Sequence, residues 1–207
     1  MRPLSLFVIA FAGLIALPAF AQNPPAANPP PPVRVRGTIE KLDGNKLIVK
    51  SRDGSDVDIT LADNVGIVYL VKKSMSDIKT GDYLASTGLK GTDGKIHAIE
   101  VRIFPEALRG AGEGQYPWDL KPDTVMTNAT AGTMTKEGDG NVVSVTYKGT
   151  TSDYIIDPTT PIFTYAQGDK SLMVPGAAVF VIAQKKDDGS LSTARLTVEK
   201  DGIKPPM

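Results

Sequence analysis

The sequence predicts an all-β protein made of two tandem small barrels of the oligonucleotide/oligosaccharide-binding (OB) type. Two observations carry this. Short segments alternate apolar and polar residues, the period of half-buried strands, and Asp-Gly and Asn-containing turns punctuate them. A third observation makes it two barrels: turns and apolar positions of the first half recur, in order, in the second.

The chain opens on a leader. Arg2 supplies a positive start, Leu4 to Leu17 an apolar run, and Ala19-Phe20-Ala21 a small-x-small cleavage site. Residues 1–21 therefore read as a secretory signal peptide, with Gln22 as the first mature residue. Pro18 breaks the run, which is short for a membrane span of about 20 residues. The absence of cysteine excludes lipoprotein processing, disulfides and thiolate metal sites. Residues 22–32, rich in proline, cannot form helix or sheet and read as an extended spacer.

The first barrel is expected over 33–104. Val33, Val35, Gly37 and Ile39 alternate with polar residues, and Asp43-Gly44-Asn45 is a turn. Leu47 to Val49 forms the next strand, and Val57, Ile59 and Leu61 a third, broken at Asp63-Asn64. Gly66 to Val71 is a short separate run, and Ser74 to Ile78 a single helical turn. Tyr83 to Leu89 and Ile96 to Phe104 close the unit, with His97, Ile99, Val101 and Ile103 on one face by parity.

The second barrel, 131–200, repeats this at a spacing of 95 residues: Gly37 with Gly132, Ile67 with Ile162, Gly81 with Gly176, and Asp93-Gly94 with Asp188-Gly189. The helical turn before the last hairpin favours an OB-like barrel, with an SH3-like barrel as the alternative. Units of about 70 residues are marginal alone, so the two are expected to pack together. Residues 201–207 form a tail.

Between the barrels lies the connecting segment 105–130, with the sole tryptophan and three closely spaced glycines. The leader, the spacer, the paired barrels and IFPEALRGAGEGQYPWDL…TNAT resemble a family of exported Gram-negative proteins whose repeated domain is of unknown function. The likeness spans essentially the whole mature chain, and RGxGEGxxPWDL is its most specific part. The label "metal ABC transporter permease", which such chains sometimes carry, conflicts with the sequence, because one cleavable apolar segment cannot make a permease. The resemblance implies compartment and architecture and no activity.

Residue chemistry narrows the function by elimination. Charges balance at 23 basic against 23 acidic, so no global field favours nucleic acid or an anionic membrane. Lys46, Lys50 and Arg52 neighbour Leu47 and Val49 instead of aromatic platforms, which argues against nucleic acid. His97 is the only histidine and has no partner ligand for a metal. The acids Asp53, Asp56 and Asp58, and the Glu137, Asp139 and Asn141 group, lack a calcium loop and read as turn and edge charges. No nucleophile elbow occurs.

The residues singled out are Arg109, Gly110, Gly112, Gly114, Tyr116, Trp118 and Asp119. The glycines are weak as a phosphate cradle, since Tyr116-Pro117 follows where a helix should start; they read as letting the chain turn tightly and lie close to the barrels. Trp118 reads as a buried anchor at the seam, its indole N–H finding a carbonyl. The alternative is an exposed platform with Tyr116 for a sugar or protein. Asp119 fits a turn cap. The resulting expectation is a periplasmic, non-catalytic binding or envelope-associated module without cofactor or metal, with no membrane span after cleavage. Its partner would be an envelope protein or a small ligand. A small-ligand or oligosaccharide binder using Tyr116 and Trp118, and an enzyme of unrecognised type, stand as alternatives.

Overall fold

Alternating apolar residues build twelve strands in the computed structural model, which describes residues 30–206. They are β1 (Val33–Asp43), β2 (Lys46–Ser51), β3 (Asp56–Lys73), β4 (Tyr83–Lys90), β5 (Ile96–Ile103), β6 (Gly114–Pro117), β7 (Thr124–Glu137), β8 (Gly140–Tyr147), β9 (Thr150–Ile156), β10 (Ile162–Gln167), β11 (Ala178–Lys185) and β12 (Leu191–Val198). The protein is all-β, and the leader and most of the spacer lie outside the described residues.

The strands close into a five-stranded barrel, but one half of the chain does not supply it alone. β1 pairs with β2, β2 with β3, β3 with β12 in parallel, β12 with β11, and β11 back with β1. A second circuit runs β4–β7–β8–β9–β5–β4, closed by the short parallel pairing of Ile96 with Tyr154 and His97 with Ile155. Each circuit therefore takes three strands from one half and two from the other. This corrects the expectation that 33–104 and 131–200 each close a barrel of their own.

The reason lies in β3. The break predicted at Asp63-Asn64 interrupts the pairing but does not end the strand, which runs for 18 residues through it. The irregularity lies in β3 itself: Thr193 of β12 faces Leu61 and Arg195 faces Gly66, so Ala62 to Val65 bulge out and bend the long strand. β3 thus leaves the first circuit before the turn at Met75–Asp77, and β4 begins beside β7 of the other half. That turn is capped as its sequence predicts: Ser74 N–H and Oγ both donate to Asp77 Oδ2 at 2.8 Å.

At the centre, β10 pairs antiparallel with the end of β3 and parallel with β5. Leu70 faces Tyr165 here, two positions that are 95 residues apart. The closing pairs correspond in the same way, Ile67 with Leu196 and Ile162 with Val101. The first strands correspond differently. Gly176 N–H donates to the Ile39 carbonyl at 2.8 Å and Gly81 N–H to the Ala131 carbonyl at 2.7 Å, so Ile39 answers to Ala131, 92 residues on. Gly37 and Gly132 are not equivalent, because β7 runs longer before its hairpin.

Three further expectations are corrected. A bulge at Ile99, where Thr87 faces Glu100 and Gly88 faces Ala98, reverses the parity of β5. Ile96 and Ala98 point inward before it and Val101 after it, so His97 is outside, beside Asp93. β7 starts at Thr124, inside the stretch read as connector, because both its faces are covered and no alternation marks it. The C-terminal tail is docked, its Pro206 carbonyl accepting from Arg36 Nε at 3.2 Å.

Both cores draw on both halves. The first packs Ile39, Leu47 and Ile59 with Val179, Val181 and Leu196, and the second packs Leu84 and Val101 with Val143, Tyr154 and Ile162. Ile67→Ala and Leu196→Ala are each expected to cost about 2–5 kcal/mol. Because these two residues face each other across the halves, the double variant should show a coupling of about 0.5–3 kcal/mol in urea denaturation. Simple additivity would count against the exchanged closure.

Candidate functional site

The connecting segment makes the site by crossing from one circuit to the other. After Ile103 the chain makes a 3-10 turn at Glu106–Leu108. Arg109 grips Glu106 through Nε at 2.6 Å and Nη2 at 2.7 Å, and its Nη1 donates to the Gly81 carbonyl at 3.0 Å. The Ala111 carbonyl then accepts from Asn128 Nδ2 at 2.9 Å and from the Tyr83 hydroxyl at 3.3 Å. Burial pushes the Tyr83 hydroxyl up to about 12, so it stays a donor. Glu113 accepts from Lys148 N–H, and β6 pairs with β7 through Gly114 to Pro117.

Arg109, Gly110, Gly112 and Gly114 therefore hold the segment against the second circuit. Gly112 is the tightest point: its φ is +61°, and a Cβ there would come 2.9 Å from Asn128 Nδ2. Gly110 also has positive φ, but a Cβ on it meets open space.

Trp118 and Asp119 hold the same segment to the first circuit. The Trp118 N–H donates to the Thr124 carbonyl at 2.8 Å, tying it to β7, while its ring lies on the outer face of β1 and β11. Arg34 stacks 4.1 Å from the ring centre and Arg36 5.4 Å, and Tyr116 and Phe180 meet it edge-on at 6.1 and 6.3 Å. The ring is half-buried, and among the described residues no carbonyl accepts its indole N–H. It bridges the circuits from outside, where the sequence placed it inside a seam.

Asp119 is an ion-pair partner and not a cap. Its Oδ2 accepts from Arg36 Nη1 at 2.7 Å, Arg34 lies 3.7 Å from Oδ1, and Arg52 Nη2 donates to its carbonyl at 2.8 Å. Partial burial opposes its ionisation, but the Arg36 hydrogen bond and the charges of Arg36 and Arg34 outweigh it and hold its carboxyl below the usual range. Arg36, only 3% exposed though predicted to face water on β1, is covered by this segment.

Between these two clamps an apolar cleft of about 200 Å³ opens. Phe180, Ile182 and Thr197 form its floor on the outer face of β11 and β12; Phe104, Leu108, Ala111 and Tyr165 form its walls. Tyr83, Phe104 and Tyr165 make one aromatic row, with centroids 5.7 Å apart at each step. Arg102 and Glu100 are buried behind Tyr165: Arg102 Nε donates to Glu100 and Nη1 to the Tyr165 hydroxyl at 2.8 Å. Burial pushes the Glu100 carboxyl up against the pull of Arg102.

Phe180, Ile182, Tyr165 and Arg195 were not singled out by sequence reasoning. A signal existed. In Ala178–Ala183 six apolar residues run consecutively, so both faces of that strand need cover, and Ile182 keeps 44% exposure. Arg195 carried no local signal. Among the described residues no three His, Asp or Glu side chains converge as metal ligands would. Likewise no helix there is long and apolar enough to cross a membrane. Comparison with protein-family models, curated proteins and solved structures gives no match.

Gly112→Ala should destabilise by about 1–2 kcal/mol for its left-handed backbone and by about 1–3 kcal/mol more for overpacking. Gly110→Ala should show only the first of these in urea denaturation. Asp119 should make the clamp acid-sensitive. A lowered folded pKa contributes stability that is present above the unfolded value of about 4 and is lost as pH falls through the folded one. Trp118 fluorescence followed from pH 5 to 2 should shift to the red, and Asp119→Asn should shift it already at pH 5 and flatten the profile.

Proposed function

We propose that the chain is an exported, periplasmic, non-catalytic binding module, built as two OB-like units that exchange their last two strands. Its ligand sits in the cleft over Phe180 and Ile182. The observation that carries this is the cleft itself: an apolar recess with Ile182 left accessible, its walls held by buried polar contacts on either side. Concave, mostly apolar sites with few polar groups are where small ligands bind.

Catalysis has less support. The lining groups that carry polar atoms are Thr197, Tyr165 and Arg195, and the Tyr165 hydroxyl is engaged by Arg102. None is paired with a general base in the way an activated nucleophile requires. A sugar platform on Tyr116 and Trp118 is also less favoured, since a stacked ring would have to displace Arg34 from the indole. The apolar run and the Ala19-Phe20-Ala21 site support export. N-terminal sequencing from a periplasmic fraction is expected to begin at Gln22.

The neutral apolar dye N-phenyl-naphthylamine tests the cleft. It should bind the mature protein with enhanced emission, and Ile182→Trp, which fills the recess from an exposed position, should weaken binding at least tenfold. Unchanged binding to that variant would place the ligand elsewhere and overturn the reading.

A further inference from the structure

Three guanidinium groups lie on the aromatic residues that line the cleft. Arg36 sits 4.6 Å from the Phe180 ring centre, Arg102 5.8 Å and Arg195 5.4 Å from that of Tyr165. Arg36 is matched by Asp119 and Arg102 by Glu100. Arg195 has no carboxylate partner among the described residues, and it is the charged residue that lines the recess.

The two kinds of cation are placed differently. Arg36 and Arg102 are buried, 3% and 5% exposed, where an unmatched charge is costly. Arg195 is exposed, its guanidinium over the Tyr165 ring, so its donors remain available to a ligand. Guanidinium presents its donors as a planar fork that suits a carboxylate, and stacking on a ring fixes the plane of that fork.

We propose, resting on the binding-module reading above, that the cleft selects a small amphipathic carboxylate. The apolar body lies on Phe180 and Ile182 between Phe104 and Tyr165, and the carboxylate pairs with Arg195 at the mouth. Neither part suffices alone. The recess without Arg195 would take neutral apolar molecules equally well, and Arg195 on an open surface would add little. The volume, about 200 Å³, suits a group of one or two rings and not a folded partner.

The test compares naphthoate with the neutral naphthalene-methanol, each displacing N-phenyl-naphthylamine from the mature protein at low salt. Naphthoate should bind at least tenfold more tightly. Arg195→Gln should abolish that preference while leaving the affinity for the neutral compound within about twofold. Arg195→Lys should retain part of the preference, since the charge remains and the fork is lost. Ile182→Trp should weaken both compounds. Equal affinity of the two compounds for the wild-type protein, or a preference that survives Arg195→Gln, overturns the proposal while dye binding leaves the cleft standing. Loss of dye binding altogether would instead remove the reading on which it rests.

Discussion

The pairing of β3 with β10 constrains everything else, because it forces each half of the chain to leave its own barrel. β3 spends its first part inside one closed circuit and its last part in the central ribbon, where Leu70 meets Tyr165. A strand continuous for 18 residues cannot turn back early enough to deliver β4 and β5 to the circuit it began. Those strands complete the other circuit, and β11 and β12 complete the first. Closing circuits this way removes free sheet edges, and it means that neither hydrophobic core can form until both halves are present.

Such exchange leaves outer faces that belong to one circuit yet must be covered by chain from elsewhere. The outer face of β1 and β11 carries Arg34, Arg36 and Phe180, and Trp118 and Asp119 supply the cover. Arg36 can be buried only because the Asp119 carboxylate and the Pro206 carbonyl accept its protons. The buried pair of Glu100 and Arg102 follows the same logic, with the Tyr165 hydroxyl as the third member. Buried ionic groups of this kind add little net stability, but they penalise any register that separates them.

The cleft is where the cover stops. Trp118 meets Phe180 edge-on while Ile182 stays exposed, and the Leu108 to Ala111 stretch is tied to Gly81, Tyr83 and Asn128. The segment clamped at both ends therefore spans an apolar floor without filling it. Arg195 reaches this space from β12, opposite Gly66, where pairing resumes after the bulge in β3.

Local order was legible in the sequence: the all-β class, most strand limits, the capped turn after Ser74 and the spacing of 95 residues. These follow from alternation and turn chemistry, which act over a few residues. Three things came only from the tertiary structure. Asp63-Asn64 looks like a break, but these residues only bulge out of the ladder, and β3 resumes its pairing with β12 at Gly66. His97 looks inward, but a single bulged residue reverses parity without a sequence mark. The exchange of strands, and with it the cleft of Phe180, Ile182, Tyr165 and Arg195, depends on pairing between residues about 35 to 150 apart, from Leu89 with Thr124 to Val33 with Ala183. Either half could satisfy the same alternation with its own strands or with its neighbour's, so the local pattern is equal in both cases and only the long-range packing separates them.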